Sequence, residues 1–419
     1  MFRIKTIAIL LIAFAASQHK AWGQLEISTA EGLANFASVV NGGTSYKGNT
    51  VTLKTDIVLS SDWTPIGTSS RPFEGTFDGG SHTISGLQIT GGTQDDAGLF
   101  GYCSGATIKN LTVAATTIAG DENVGILAGS LISSSITGCS VSATSISGTR
   151  NVSALVGYRD EVTESGCSIT GTTVVSLSSS SDLTASNLNK PCNLTLTGRT
   201  LYKDGKWNTI CLPFDYDPAY GVLSGDGVEV YTITDPTSGK GAYITDNRLI
   251  LLWGTNIAGN GVMRAGVPYI IKWTSGSNLV NPLFTGVVPR VTTTADYNNE
   301  ASGDAQVRFC GTFDLKTVST KDQSILFMGN NNTLYYPDGN ADTRIGAFRA
   351  YFKIGNGASA RQLSDFDFNF GEGETTGILL NTNLTDKTGA WYSISGVRLN
   401  GIPTVKGLYI HNGRKEVIK

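Results

Sequence analysis

The sequence has an internal repeat with a 28-residue period between Ala97 and Val174. Each unit has three short apolar runs, with Gly, Ser, Asn or Asp between them. Leu111, Cys139 and Cys167 lie one period apart, at the same place in three successive units. One such unit is too small to bury its own apolar face, but stacked units can share a core. The repeat therefore predicts a β-solenoid whose coils are about 4.7–4.9 Å apart.

The segment before the repeats is expected to cap this solenoid. We expect a short right-handed β-helix, or solenoid, over residues 24–176, made of a cap and three of these repeats. Within the cap, Thr29–Val40 is expected to be a short helix, because its apolar residues follow the i, i+3, i+4, i+7 spacing and Thr29 can cap its first turn. These apolar residues are Leu33, Phe36, Ala37 and Val40.

The regular spacing stops beyond the third repeat, and the composition changes. We expect a Ser-rich linker over 177–190 and then an antiparallel β-sandwich over 191–368, because short strands alternate with turns every ten or so residues. A second linker is expected over 369–389, and a small C-terminal β module over 390–419. The strands expected in the sandwich are Lys206–Phe214, Val228–Ile233, Leu249–Trp253, Pro268–Trp273, Leu283–Val288, Gln306–Phe313, Ser324–Met328, Thr333–Tyr336 and Ala347–Ile354.

Composition favours this all-β fold and excludes other classes of protein. Charged residues make up 16% of the chain, against about 25% in typical globular proteins, and glycine accounts for 51 of the 419 residues. This excludes a coiled coil or helical bundle, which needs abundant Ala, Glu, Lys and Leu. Only three histidines are present, so a His-based metal site or catalytic triad has few candidates.

Residues 1–23 have the pattern of a cleaved secretory signal peptide. Arg3 and Lys5 precede the apolar run Ile7–Ala16, which is long enough for a signal peptide and too short to span a bilayer. Cleavage is expected before Gln24. Because Lys20 would be lost with the other two basic residues, the formal net charge would change from −3 to −6. We therefore expect a secreted or cell-surface protein with no transmembrane segment and no nucleic-acid partner, since nucleic acid needs a basic face.

One segment resembles a known repeat family. Residues 63–87 begin W-T-P-I-G and continue F-E-G-T-F-D-G-G-S-H-T-I-S-G-L, and the units G-L-F-G and V-G-I-L-A-G follow. This pattern resembles the GLUG-repeat proteins, which are exported bacterial proteins, many of them from gut Bacteroidetes. In the third unit Ser153 replaces the first glycine. The resemblance implies a β-helix-like surface module with an adhesion role, and it supplies no catalytic residue.

The C-terminal segment carries a second resemblance. It contains Y-S-I-S-G-V-R-L and ends K-G-L-Y-I-H-N-G-R-K-E-V-I-K. This is similar to the tails of exported Bacteroidetes proteins, including type IX secretion sorting domains, although it is shorter than a full sorting domain. The segment is therefore either a sorting signal or a small β module that packs on its neighbour.

Two acidic turns stack in the predicted solenoid. Aligning the repeats places Asp95 and Asp96 beside Asp121 and Glu122. Like charges one strand spacing apart repel each other. Either these are solvated turns, with Arg150 on the next coil compensating Glu122, or a Ca²⁺ ion bridges them through carboxylate and carbonyl oxygens. No other cofactor or metal is expected.

Two classes of function remain open on the sequence alone. The first is a non-catalytic adhesion or interaction protein for a host or bacterial surface ligand. The second is a carbohydrate-active protein that binds or cleaves glycans with the solenoid face, which for cleavage needs two carboxylates at a suitable distance. Asp78 is expected in an Asp-Gly turn, and His82 as a hydrogen-bonding residue at a coil edge. Four tryptophans can either stack on sugar rings or pack in a core: Trp207, Trp253, Trp273 and Trp391.

The six cysteines do not form a CxxC metal pattern, and we expect most of them to be buried thiols. Cys139 and Cys167 are expected to face the solenoid interior in adjacent coils. Their stacked Cβ atoms, about 4.8 Å apart, would lie slightly outside the range of an unstrained disulfide, so both are expected as thiols that react slowly. Cys211 and Cys310 are the expected disulfide pair.

Overall fold

The computed structural model shows a protein that is nearly all β, with a β-solenoid of about five turns. The expected all-β solenoid is therefore confirmed. The described residues are 24–233, 241–245, 247–259, 261–294, 296–298, 307–319, 322–329, 332–337, 343–355, 363, 365–369, 375–378, 391–393, 399, 403–411 and 414–418. The expected signal peptide lies outside them. Among these residues, no helix is both long and apolar enough to cross a membrane.

The solenoid consists of one helix and short strands. The helix is α1 (Ala30–Asn41). The strands are β1 (Gln24–Ile27), β2 (Thr50–Leu53), β3 (Ile57–Val58), β4 (Thr76–Asp78), β5 (Thr83–Ile89), β6 (Phe100–Ser104), β7 (Thr107–Lys109), β8 (Thr112–Ala119), β9 (Glu122–Val124), β10 (Ala128–Ile132), β11 (Ser135–Thr137), β12 (Ser140–Ser147), β13 (Arg150–Val152), β14 (Val156–Asp160), β15 (Thr163–Ser165), β16 (Ser168–Ile169) and β17 (Thr173–Leu177).

These strands stack into parallel walls. The first wall has the order β1-β2-β4-β7-β11-β15, the second β3-β5-β8-β12-β16 and the third β6-β10-β14, while β9 pairs with β13. Successive coils pair at the spacing of the sequence repeat, so that Ser140 lies between Thr112 and Ser168. The register read from the repeat is therefore confirmed. "Last coil" below means residues 150–169, from β13 to β16.

The core is built from ladders of equivalent side chains. In the first wall Phe77, Ile108 and Ile136 are in register and are fully buried. Burial of each such side chain is worth roughly 1.5–3 kcal/mol relative to exposure. The predicted helix is also confirmed: Thr29 caps α1 by accepting a hydrogen bond from the Gly32 amide at 3.0 Å. Its four predicted apolar residues are buried.

Glycines in each repeat permit the coils to approach closely. A Cβ atom on Gly125 would meet the Ala128 carbonyl oxygen and would lie 2.7 Å from the amide nitrogen of Gly157 in the next coil. The equivalent Gly98 would meet Gly125 of its own next coil at 2.5 Å. A side chain at this position is therefore excluded wherever another coil follows. The last coil carries Ser153 here, because no further coil follows it.

The remainder of the described chain consists mainly of antiparallel strands. They are β18 (Cys192–Leu196), β19 (Thr200–Leu201), β20 (Asn208–Cys211), β21 (Glu229–Tyr231), β22 (Ala242–Thr245), β23 (Arg248–Leu252), β24 (Pro268–Lys272), β25 (Leu279–Val280), β26 (Leu283–Val287), β27 (Asp296–Asn298), β28 (Val307–Thr312), β29 (Lys316–Val318), β30 (Ile325–Met328), β31 (Leu334–Tyr335), β32 (Thr343–Ile345), β33 (Arg349–Ile354), β34 (Asp365–Asn369), β35 (Thr375–Ile378), β36 (Trp391–Ser393), β37 (Gly407–His411) and β38 (Arg414–Ile418).

Each of the nine expected strands of residues 191–368 overlaps an observed strand. The observed strands of this range form several small sheets, and the largest of these in the described part of the chain has the order β27-β28-β33-β30-β31. Two parallel pairings were not predicted from the sequence: β17 with β18, and β23 with β34. The first matters for the site below, because it joins the end of the solenoid to the region that follows. That region, residues 191–294, is called the covering region.

The two expected linkers contain ordered structure where they are described. Within 177–190, Ser180–Asp182 forms a turn of 3₁₀ helix and Leu183 is buried in the core of the covering region. Within 369–389, β35 pairs with β34. Strands β36, β37 and β38 form an antiparallel sheet at the C-terminal end.

Candidate functional site

The acidic turns predicted as a candidate calcium site lie at one corner of the solenoid. The predicted register is observed, since Glu122 pairs with Arg150 and the two side chains form an ion pair. Asp121 accepts a hydrogen bond from the Thr149 hydroxyl at 2.6 Å, and Asp95 accepts one from the Glu122 amide at 3.3 Å. These carboxylates are therefore used to connect one coil to the next.

Asp96 belongs to a different ladder from the other three acids. Its carboxylate accepts hydrogen bonds from the Asn123 amide group at 2.9 Å and from the Ser130 hydroxyl at 2.5 Å. Asn151 in turn donates to the Asn123 side-chain oxygen at 2.7 Å. Asp96, Asn123 and Asn151 all have positive φ, a conformation that Asn and Asp adopt more readily than most residues. In the described chain, no group of three or more acidic, Cys or His side chains has the arrangement of a metal site.

Asp78 and His82 have the local roles that the sequence predicts. Asp78 accepts a hydrogen bond from the Gly80 amide at 3.0 Å within its turn, and forms an ion pair with Lys109 at 3.2 Å. His82 contacts Asp56 of the preceding coil, with 3.2 Å between Nδ1 and Oδ1. The Thr83 amide and His82 both lower the pKa of the Asp56 carboxyl. These groups stabilise the turns and do not meet in a cleft.

A polar cleft lies where the last coil meets the covering region. Its volume is about 360 Å³. Ser153, Arg159, Glu164 and Cys167 line it from the last coil. Asp215, Tyr216, Asp217 and Tyr220 are among the residues that line it from the covering region.

The side of the cleft on the last coil is built from departures from the repeat. Arg159 is in register with Leu131 and Cys103, both buried in the core. Glu164 is in register with Ile136, which belongs to the buried ladder of the first wall. The Arg159 Nη2 and Glu164 Oε2 atoms are 3.7 Å apart. The last coil therefore replaces two core side chains by an ion pair at the place where the core meets the cleft.

A buried ion pair holds the covering region against the solenoid. The Arg290 Nη2 and Asp215 Oδ1 atoms are 2.7 Å apart, and Asp215 is only 4% exposed. Asp215 also accepts a hydrogen bond from the Val152 amide at 3.1 Å, while Arg290 donates to the Gly148 carbonyl at 3.1 Å. The pair thereby satisfies backbone groups that a further coil would otherwise satisfy.

Tyr220 of the covering region makes a second connection. Its hydroxyl donates to the Val162 carbonyl at 3.1 Å and accepts from the Val162 amide at 3.2 Å. The Arg159 guanidinium lies over its ring, 5.4 Å from the centroid. This cation–π contact orients Arg159 at the cleft.

Asp217 is the cleft carboxylate whose charge is least compensated. It accepts a hydrogen bond from the Ala219 amide at 3.0 Å. Burial raises the pKa of Asp217 to about 6, although the Ala219 hydrogen bond and the positive charge of Arg159 act in the opposite direction. Asp217 therefore changes charge near pH 6, whereas an exposed aspartate does so near pH 4.

The two cysteines of the repeat have different environments. Cys139 is 1% exposed, as expected, but Cys167 is half-buried and lines the cleft. The neighbouring Cys139 thiol lowers the pKa of Cys167 to about 7, whereas the Cys167 thiol and burial raise the pKa of Cys139. The expectation that Cys167 faces a closed interior was therefore wrong, because no coil covers its outer side.

Other predicted residues do not contribute to the cleft. The four tryptophans are buried at 9% exposure or less, which favours core packing over a sugar-stacking role. Cys211 and Cys310 belong to different hydrophobic clusters and are not joined by a disulfide, so that pairing was wrong. The cleft itself was not predicted, although Ser153 in place of glycine was a visible signal of it.

Comparisons with known proteins assign no family to this chain. The chain is similar to halomucin of Haloquadratum walsbyi (strain DSM 16790 / HBSQ001), with 31% identity over 114 residues. This match covers 24% of the chain and about 1% of the length of halomucin. No family model and no solved structure matches the chain.

Proposed function

We propose that this chain is an exported protein, secreted or on the cell surface, with a non-catalytic adhesion or interaction role. The observation that carries the binding role is the cleft, because the last coil departs from its own repeat at Ser153, Arg159 and Glu164, which line it. The signal-peptide pattern of residues 1–23 and the resemblance of residues 63–87 to GLUG repeats support the location. Ligand sites are typically concave and carry a few well-placed polar groups.

The ligand that this chemistry favours is a glycan of a host or bacterial surface. Glu164 and Asp217 offer carboxylate oxygens, and Arg159 offers a planar donor held by Tyr220. Such groups can hydrogen-bond the neighbouring hydroxyls of a sugar. The acidic turns provide no comparable concave surface.

A second candidate function is glycan cleavage, since Asp217 and Glu164 line the same cleft. Glycoside hydrolysis uses one carboxylic acid with a raised pKa and one carboxylate. The raised pKa of Asp217 favours it as the acid, and Glu164 would be the second group.

A pair of variants tests the binding role. Arg159→Leu with Glu164→Ile restores the apolar side chains of the repeat and removes an ion pair whose Glu164 side chain is 32% exposed, so loss of the pair should cost less than about 1 kcal/mol. We expect this variant to lose binding on a glycan array by tenfold or more. Lys54→Leu with Glu26→Ile is the matched control, because it removes an ion pair of 3.0 Å on the first coils. Equal binding by both double variants would contradict the assignment of the cleft.

A reducing-sugar assay on the glycans that bind separates the two functions. Release of sugar that is lost in Asp217→Asn would favour cleavage, whereas binding without release would favour the non-catalytic role. Export has its own test, since the N-terminus of secreted material should be Gln24. Recovery of the full-length chain from the cytoplasm alone would contradict export.

The finer architecture is also a proposal. We infer that the antiparallel sheets of residues 191–368 form a β-sandwich, supported by two large hydrophobic clusters within the described part of this range. We infer further that β36–β38 form a separate small module with a sorting or packing role. Fusing residues 390–419 to an unrelated exported protein would test the sorting role, which predicts surface attachment of the fusion.

A further inference from the structure

Cys139 and Cys167 form a pair of thiols at the end of the solenoid. The pairs Thr137–Ser165 and Ser140–Ser168 flank them in register, so the two cysteines occupy matching positions on adjacent coils. Their sulfurs make equivalent contacts one coil apart: the Cys139 thiol donates to the Thr137 carbonyl at 3.6 Å, and the Cys167 thiol donates to the Ser165 carbonyl at 3.6 Å. Neighbouring strands are about 4.7–4.9 Å apart, which lies within the Cα separations that disulfides span.

The two thiols differ in access. Cys167 lines the cleft, whereas Cys139 is buried behind it, with its Sγ 3.7 Å from the Ile108 carbonyl oxygen. An external reagent can therefore reach Cys167 and not Cys139. Once a sulfur is attached to Cys167, Cys139 is the thiol placed to attack it.

The last coil can also make the small movement that a disulfide requires. Strand β16 has only two residues and forms the edge of its wall, so nothing in that wall stacks on its outer side. The equivalent pair one coil earlier, Leu111 and Cys139, is fixed between coils on both sides. A closing movement of a few tenths of an ångström is thus easier at Cys167 than elsewhere in this ladder.

We propose that Cys167 and Cys139 form a thiol–disulfide exchange site that opens into the cleft and reacts with small disulfides of the glutathione type. The Cys167 thiolate attacks one sulfur of the external disulfide, forming a mixed disulfide and releasing one thiolate. Cys139 then attacks the Cys167 sulfur and gives its proton to the departing thiolate. Two protein thiols and one external disulfide become one Cys139–Cys167 disulfide and two small thiols.

The ionisation of Cys167 agrees with this order of attack. A thiol is reactive as its thiolate, and the neighbouring Cys139 thiol lowers the pKa of Cys167 to about 7. Burial instead raises the pKa of the thiols of Cys103 and Cys211. Those two cysteines are internal controls, because they should remain unmodified in the folded chain.

The experiment uses the full chain, glutathione disulfide and peptide mapping by mass spectrometry after alkylation. In the native chain, we expect a cross-linked Cys139–Cys167 product with little bound glutathione. In Cys139→Ser, one glutathione should remain on Cys167, because the resolving thiol is missing. In Cys167→Ser, Cys139 should react with glutathione disulfide at least tenfold more slowly than Cys167 does in the native chain.

Three results would overturn the proposal. They are equal reactivity of Cys167 and Cys103 in the native chain, glutathione retained on native Cys167 without a cross-link, and no glutathione trapped in Cys139→Ser. Circular dichroism melting should establish that each variant folds. If a serine variant does not fold, the product ratio in the native chain still decides between cross-link and mixed disulfide.

Discussion

The interior coils and the last coil share one repeat but have different neighbours. In the interior, the position of Gly125 must lack a side chain, and the positions of Leu131 and Ile136 are buried. In the last coil the same three positions carry Ser153, Arg159 and Glu164. A residue's role in a solenoid thus depends on the coil that follows it as much as on its place in the repeat. The last coil can carry a site because the covering region leaves a cleft where another coil would lie.

The largest expected effect concerns the hydrogen bonds of the backbone groups at the edge of each coil. In the interior coils, these groups form hydrogen bonds with the backbone of the next coil. At the last coil, Asp215 and Arg290 supply part of these hydrogen bonds. Asp215→Ala leaves a buried charge unpaired, so it should lower the free energy of unfolding by about 3–5 kcal/mol. Urea unfolding measures this. The control Glu26→Ala breaks an exposed pair with Lys54 and should cost less than about 1 kcal/mol. Similar losses in both variants would contradict the role given to Asp215.

The second prediction tests the stacking glycines. Gly125→Ser forces a side chain into the backbone of the next coil, and overpacking of this kind costs about 1–3 kcal/mol. The reverse change, Ser153→Gly, is a matched control in the last coil, and should cost no more than about 1 kcal/mol. Thermal unfolding of both variants checks the difference. A larger loss in Ser153→Gly than in Gly125→Ser would refute the link between this glycine and the following coil.

The third prediction concerns the charge of Asp217. This residue belongs to the covering region and lines the cleft at the last coil. Its folded pKa of about 6 lies above the unfolded value, so the folded chain binds the extra proton between about pH 4 and 6. The stabilising contribution is therefore present below pH 4 and is lost as the pH rises through 6. Asp217→Asn should raise the free energy of unfolding by about 2 kcal/mol at pH 7.5, with little gain at pH 4.

The control for this pH dependence is Asp204→Asn. Asp204 is exposed and forms a surface ion pair with Lys206 at 3.7 Å, so its replacement should change stability by less than about 1 kcal/mol at either pH. Urea unfolding at both pH values gives the comparison. If Asp217→Asn has the same effect at pH 4 and at pH 7.5, charge burial in the cleft is not the cause.

The smallest expected effect is that of calcium on the acidic turns of the interior coils. Because Asp121, Asp96 and Glu122 are occupied by Thr149, Asn123 and Arg150, we expect melting temperatures with calcium and with EDTA to agree within about 1 °C. A melting temperature that is higher with calcium than with EDTA would instead establish the bridging ion, provided that Asp121→Ala with Glu122→Ala abolishes the difference. The solvated turns and the calcium site stay alternatives until this measurement.

The sequence predicts those features that depend on equivalence between repeats. The register of the coils, the buried Ile108–Ile136 ladder and the contact of Arg150 with Glu122 all follow from aligning one unit with the next. Helix α1 follows from the spacing of its four apolar residues. Each of these features depends on residues that are close along the chain or one period apart.

The cleft could be predicted only in part, because half of its lining belongs to a non-repeating region. Nothing in the period places Asp215, Asp217 or Tyr220 beside the last coil. Cys167 was assigned the environment of Cys139 because alignment treats all coils as interior coils. The polar residues at Arg159 and Glu164 were the local signal, since they interrupt two ladders that are apolar in the preceding coil.

The separation of stacking residues from cleft residues has a consequence for how such a chain could lengthen. A duplication of one interior repeat unit would add one coil and move the cleft about 4.8 Å further from the N-terminal cap. The inserted unit would bring its own stacking glycine, and the residues of the last coil would keep their contacts with the covering region. Reach and recognition could therefore change independently in the descendants of one gene, with coil number setting the distance at which the same cleft is presented.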